Sequence, residues 1–189
     1  MNFLRLSVVA TALLLAGCTT TNVSPYPGFW DALETRTEAD FTSLSGWYAE
    51  VGEQSLSKYD TGAGRASLTM VLFGFSAPWS KAKRVLIRAD AECLQVQVWG
   101  DDAQLYAQGF CKASGDYFVD GSNISIATHG KSVGEGFIGT FNASVQLFTQ
   151  EGLLILHEKS QYRGSGGFFL PESGSTDGWY RFQKRPDTP

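Results

Sequence analysis

The chain has 189 residues and a formal net charge of −4, from 15 Lys and Arg against 19 Asp and Glu. That length suits a single domain with a sizeable core. The acidic balance argues against nucleic acid as a partner, which would favour a basic excess. The chain carries 21 Gly, 13 Phe, 7 Tyr and 5 Trp; aromatic residues favour half-buried strands and glycines punctuate turns.

The chain opens with Arg5 and an uncharged apolar run over residues 6–14, followed by Leu15-Ala16-Gly17-Cys18. A positive start, a short apolar run and small residues before a cleavage point describe a secretory signal peptide. The run is shorter than the roughly 20 apolar residues of a membrane-spanning helix. Leu-Ala-Gly-Cys resembles the lipobox of bacterial lipoproteins. That resemblance implies removal of residues 1–17 and a lipid on Cys18. Residue 19 is Thr and not Asp, the residue that in this class favours inner-membrane retention. The implied location is therefore the outer membrane, lipid-anchored and facing the periplasm.

With Cys18 acylated, Cys93 and Cys111 remain. In an oxidising compartment such a pair forms a disulfide, and two cysteines without a nearby histidine do not suggest a metal site. Residues 18–36 read as the lipidated cysteine and a flexible tether, since small polar residues and prolines do not build a core. The domain is assigned to residues 37–185 and a loose tail to residues 186–189. Thr37 is the expected N-cap of a helical turn.

Strands follow. Gly46-Trp47-Tyr48 opens the first, with Trp47, Ala49 and Val51 on one face. Residues 52–65 read as a polar loop. The apolar run over residues 68–75 is short and bounded by Gly and Pro, which favours a fully buried strand over a helix. Residues 84–91 alternate. Residues 93–111 form a hairpin about Asp102 that sets Cys93 against Cys111, Leu94 against Phe110, Val98 against Tyr106 and Trp99 against Leu105. Asp120-Gly121 marks a turn, with a strand over residues 122–127. Residues 137–147 alternate most clearly and turn back at Gln150-Glu151-Gly152 into residues 153–162. Residues 163–177 read as a Gly/Ser-rich loop, and residues 179–184 as the last strand.

About eight or nine short strands with turn signals predict an all-β antiparallel fold, a barrel or closed sandwich. Gly-Trp-Tyr recurs at Gly178-Trp179-Tyr180, so the first and last strands are expected to pair, close the barrel and bury Trp47. Trp47-Tyr48 after a helical turn resembles the start of lipocalins. The glycine directly precedes Trp47, whereas that family has one residue between them. The family also has a late Arg that packs on the Trp, for which Arg181 and Arg185 are the candidates. The resemblance implies an eight-stranded cup that holds an apolar ligand.

Catalytic signatures are weak. Gly134-Glu135-Gly136-Phe137-Ile138-Gly139 matches Gly-x-Gly-x-x-Gly, but a strand pattern follows where dinucleotide binding requires a helix. Gly130-Lys131-Ser132 lacks the earlier glycine of a P-loop, since position 125 is Ser125. His129, read as a loop residue, and His157, in a strand, lie in no metal-type spacing. No catalytic residue, metal or cofactor is therefore expected. Candidate ligand or surface contacts are Trp47, the cluster Trp79, Lys81, Lys83 and Arg84, and the apolar pair Phe168 and Phe169. Two readings stay open beside an enzyme without a signature. One is a structural or accessory module that binds another envelope component, such as a protein. The other is a lipocalin-like carrier of a small lipid or similar apolar molecule. A filled interior would favour the first, and an apolar cavity the second.

Overall fold

Period-2 alternation survives as the organising principle. The computed structural model describes residues 25–55, 63–73, 79–134, 137–165 and 171–186. These form eleven strands of one antiparallel sheet with two short helices. The strands are β1 (Gly46–Ala49), β2 (Val51–Ser55), β3 (Ala63–Ser67), β4 (Arg84–Ala89), β5 (Cys93–Trp99), β6 (Gln104–Cys111), β7 (Tyr117–Asp120), β8 (Asn123–Gly134), β9 (Phe137–Gln150), β10 (Leu153–Ser165) and β11 (Pro171–Arg185). The helices are α1 (Phe41–Leu44) and α2 (Leu68–Phe73). The all-β antiparallel class is as expected; eleven strands exceed the expected eight or nine.

The order is β6-β5-β4-β1-β11-β10-β9-β8-β7, with β2 on β11 and β3 on β2. Strands β1 and β11 pair as expected, yet they form a central seam and the sheet does not close. The ends of the order, β6 and β7, are joined by a 3-10 turn at Lys112–Ser114. There the Cys111 N–H donates to Asp116 Oδ1 at 2.7 Å and not to a strand carbonyl. Strand β7 is also only four residues long, so the ladder stops.

One core lies inside the curved sheet. Tyr48, Phe110, Tyr117, Phe182, Leu44, Leu68, Ile87, Leu94, Ile126, Leu154 and Leu156 are each under 2% exposed. Large side chains therefore occupy the interior. In β4, Val85 and Ile87 point in while Arg88 is exposed; in β9, Ala143, Val145 and Leu147 point in. The β9–β10 hairpin turns on Glu151 at φ 47 and Gly152 at φ 78. Two consecutive positive φ values match the twist of the flanking strands.

Several expectations change. In β1 the inward residue is Tyr48, fully buried, while Trp47 is half-buried on the outer face and Val51 is 51% exposed. Trp47 lies opposite Arg185, so the two Gly-Trp-Tyr stretches sit at different levels of the seam. Residues 52–55 of the expected polar loop belong to β2 and residues 63–65 to β3, and residues 56–62 lie outside the described residues. The apolar run starts as helix α2, because Ser67 caps it: its Oγ accepts from the Met70 N–H at 3.2 Å. Buried Glu50 accepts from Ser67 Oγ, from Thr69 Oγ1 at 2.6 Å and from the Thr69 N–H at 3.3 Å. These acceptors satisfy amides of the first turn. Asp40, not Thr37, caps α1 through the Ser43 N–H at 2.9 Å. The Gly/Ser-rich residues 163–177 mostly extend the β10–β11 ladder, whose register holds from Leu153↔Gln183 to Ser165↔Pro171. A long uninterrupted ladder outweighs the turn propensity of its glycines. His129 lies within β8, opposite Asn142, rather than in a loop.

The expected tether docks from Tyr26 onward. Trp30 is 5% exposed and packs with Ile155 and Trp179 on the outer face of the sheet, with Tyr26 and Leu33 beside them. Tyr26 meets Trp179 edge-on at 4.9 Å, and the Arg181 guanidinium lies 4.8 Å above the Trp30 ring. Aromatic area outweighs the prolines here.

Candidate functional site

Antiparallel pairing sets Trp47 beside Leu86 of β4 and Arg185 of β11 on the outer face. Arg84 and Trp99 pair one step further along the same face. The Arg84 guanidinium lies 4.7 Å above the Trp47 ring, and the rings of Trp47 and Trp99 meet edge-on at 5.9 Å. Lys83 precedes β4, and its N–H donates to the Trp99 carbonyl at 2.8 Å. Gly100 and Asp101 follow β5 in a turn closed by the Gly100 N–H on Ala103 O at 2.9 Å. Trp47, Lys83, Arg84, Gly100, Asp101, Arg185 and Pro186 surround an open depression of ≈550 Å³. None of Lys83, Arg84 and Arg185 has a carboxylate partner among the described residues. Asp101 lines the rim but pairs with none of them, so the local charge is positive on an acidic chain.

The fold thus brings together three of the expected contacts, Trp47, Lys83 and Arg84. Lys81 is exposed on the 3-10 turn Trp79–Lys81, outside the depression. The Trp79 side chain, Phe168, Phe169 and Cys18 lie outside the described residues. Trp99, Gly100, Asp101, Arg185 and Pro186 escaped the sequence reading. The only signal was Arg185 as a candidate partner for a tryptophan. It lies beside Trp47 in the seam, but the guanidinium over the ring belongs to Arg84, and Arg181 covers Trp30 instead.

Cys93 and Cys111 are bonded across the β5–β6 hairpin. The expected register holds for Leu94↔Phe110 and Val98↔Tyr106, and a shift next to Trp99 replaces Leu105 by Gln104. Closing this short loop stabilises the fold by about 3 kcal/mol in the chain-entropy account. Thiol labelling of the folded protein without reductant is expected to find neither cysteine free. Stoichiometric labelling would contradict the bond.

Other polar clusters look structural. His157 is buried, stacked on Trp179 at 3.9 Å, with Nε2 2.5 Å from Asp177 Oδ1 and Nδ1 3.3 Å from Gln146 Oε1. Both ring nitrogens are engaged and neither faces a nucleophile. Gly139 pairs with Ser132 and Gly164 in the sheet, so its glycine motif runs into a strand and not a helix. No group of three His, Cys, Asp or Glu able to hold a metal occurs among the described residues.

Two inward carboxyls give a pH signature. Burial raises the pKa of Glu158 against the opposing hydrogen bond from Tyr180, and burial also raises that of Glu50. A raised carboxyl pKa means the folded chain holds its proton more tightly than the unfolded one. The contribution is full below the ordinary value of 4.5 and is lost as pH rises through the folded pKa. Glu158→Gln, which keeps an acceptor for Tyr180, is expected to flatten the decline in urea midpoint above pH 4.5. An unchanged slope would show that Glu158 is not its source.

Comparison with protein-family models, curated proteins and solved structures finds no match to this chain.

Proposed function

We propose that this chain is a lipid-anchored, non-catalytic module of the bacterial outer membrane that binds another envelope component through its outer surface. The observation that carries the reading is the Trp47 depression. Three cations without carboxylate partners among the described residues ring an aromatic side chain there, on the outside of a sheet whose inside is filled by large side chains. A filled interior favours a surface-binding module over a lipocalin-like carrier, which would enclose its ligand. The lipobox at Leu15-Ala16-Gly17-Cys18 and the Cys93–Cys111 disulfide support an envelope location.

Native mass spectrometry of protein purified from its own membranes tests this. Complexes with an envelope component that are lost in Lys83→Glu/Arg84→Glu would support the module. A small apolar molecule held equally by wild type and variant would overturn it in favour of carriage.

A further inference from the structure

We infer that the Trp47 depression rests on the anionic phospholipid headgroups of the bilayer that holds the chain's own acyl anchor. The inference depends on the anchoring reading above and adds where the domain touches the membrane.

Three observations converge. The first is reach. The chain docks onto the sheet at Tyr26, against Trp179. Residues from Cys18 to Pro25 span at most about 25 Å when extended. Trp179 and Arg185 are about 20 Å apart along β11. A bilayer carrying the lipid on Cys18 therefore lies within reach of the depression, and the domain cannot stand far from it.

The second is chemistry. Arg84 and Arg185 offer guanidinium groups that suit phosphate oxygens, and Lys83 adds a point charge. A phosphodiester headgroup presents such oxygens in a plane, as a shallow open depression requires. Half-buried Trp47 supplies the amphipathic ring that settles at headgroup depth.

The third is contrast. The chain is acidic overall, and Arg36, Lys112 and Arg181 each sit against a carboxylate: Arg36 against Glu34 and Asp40, Lys112 against Glu92, Arg181 against Glu53. Lys83, Arg84 and Arg185, without a carboxylate partner among the described residues, converge on one depression, which presents positive charge to an anionic leaflet.

The test uses the acylated full-length mature chain in phosphatidylcholine vesicles, with or without about 30% phosphatidylglycerol, carrying brominated acyl chains. Quenching of tryptophan fluorescence is compared between wild type and Trp47→Phe. The Trp47 contribution is expected to appear only with the anionic lipid and to vanish near 1 M salt, where the screening length is about 3 Å. Lys83→Gln/Arg84→Gln/Arg185→Gln is expected to lower the docked-to-undocked ratio by about an order of magnitude or more. The salt arm needs no variant, so the proposal stays exposed even where the triple variant unfolds. Equal Trp47 quenching in neutral vesicles, or quenching that ignores salt, would overturn it. So would saturation of the site by inorganic phosphate without any effect of anionic lipid, which would assign a free anion instead. An intact mass without acyl chains would overturn the anchoring reading and this proposal together. An acylated chain that fails the quenching test would overturn the contact alone.

Discussion

Tyr48→Ala is expected to lower the unfolding free energy by about 3–5 kcal/mol, as large-to-small changes in a packed core do. Tyr48 is fully buried, and its hydroxyl donates to the Leu44 carbonyl at 2.8 Å and lies 3.3 Å from that of Ser43. Truncation leaves a void among Leu44, Val85 and Phe182 and takes the donor from a buried C=O at the end of α1. The neighbouring Trp47→Ala removes a larger ring from a half-exposed place and should cost roughly 1–2 kcal/mol, closer to surface behaviour. Urea unfolding of both variants checks the order. A larger loss at Trp47 would mean that the strand presents its other face to the core.

Cys18→Ser is expected to abolish acylation, and with it the membrane retention of any cleaved chain. Acyl chains on Cys18 would contribute about 0.8 kcal/mol for each buried methylene, so two or more hold the chain in the membrane far longer than protein contacts alone. Serine cannot take a thioether-linked lipid. The variant should therefore accumulate either uncleaved or as an unlipidated chain, and the cleaved part should leave the membrane fraction. Fractionation with intact mass measurement tests this. Wild type recovered as soluble periplasmic protein would end the anchoring reading, and wild type in the inner membrane would end only the outer-membrane assignment.

Local, symmetric features of this fold were legible in the sequence, whereas of the features made by distant partners only the β1–β11 pairing was. Residues 93–111 carry their own register in like-with-like pairs, and β9 carries its own alternation. Helix α2 did not announce itself because a short, mostly apolar run fits a buried strand as well, and Glu50, which binds its first turn, comes from the bend between β1 and β2. The glycines and serines of residues 163–177 read as a loop until the continuous β10–β11 ladder is counted. The depression was half visible. Trp47 and the Lys83-Arg84 pair stood out for their chemistry, but the rest comes from a turn after β5 and the end of β11. Only the seam brings those segments together.

That seam also sets a timetable. Strand β1 is flanked by β4 and β11, so one of its two partners is the last strand, in chain order, among the described residues. Strands β4, β5 and β6 can zip up from short turns while the chain is still emerging, since closing a small loop sacrifices little entropy. The pairing of Trp47 and Tyr48 with Arg185 and Lys184 must wait for β11. Until then β1 shows a bare edge, and non-local pairing of this kind is slow. A chain that crosses a membrane N-terminus first would present β1 well before β11, with its two halves unjoined. The sheet would become one piece only after β11 had followed.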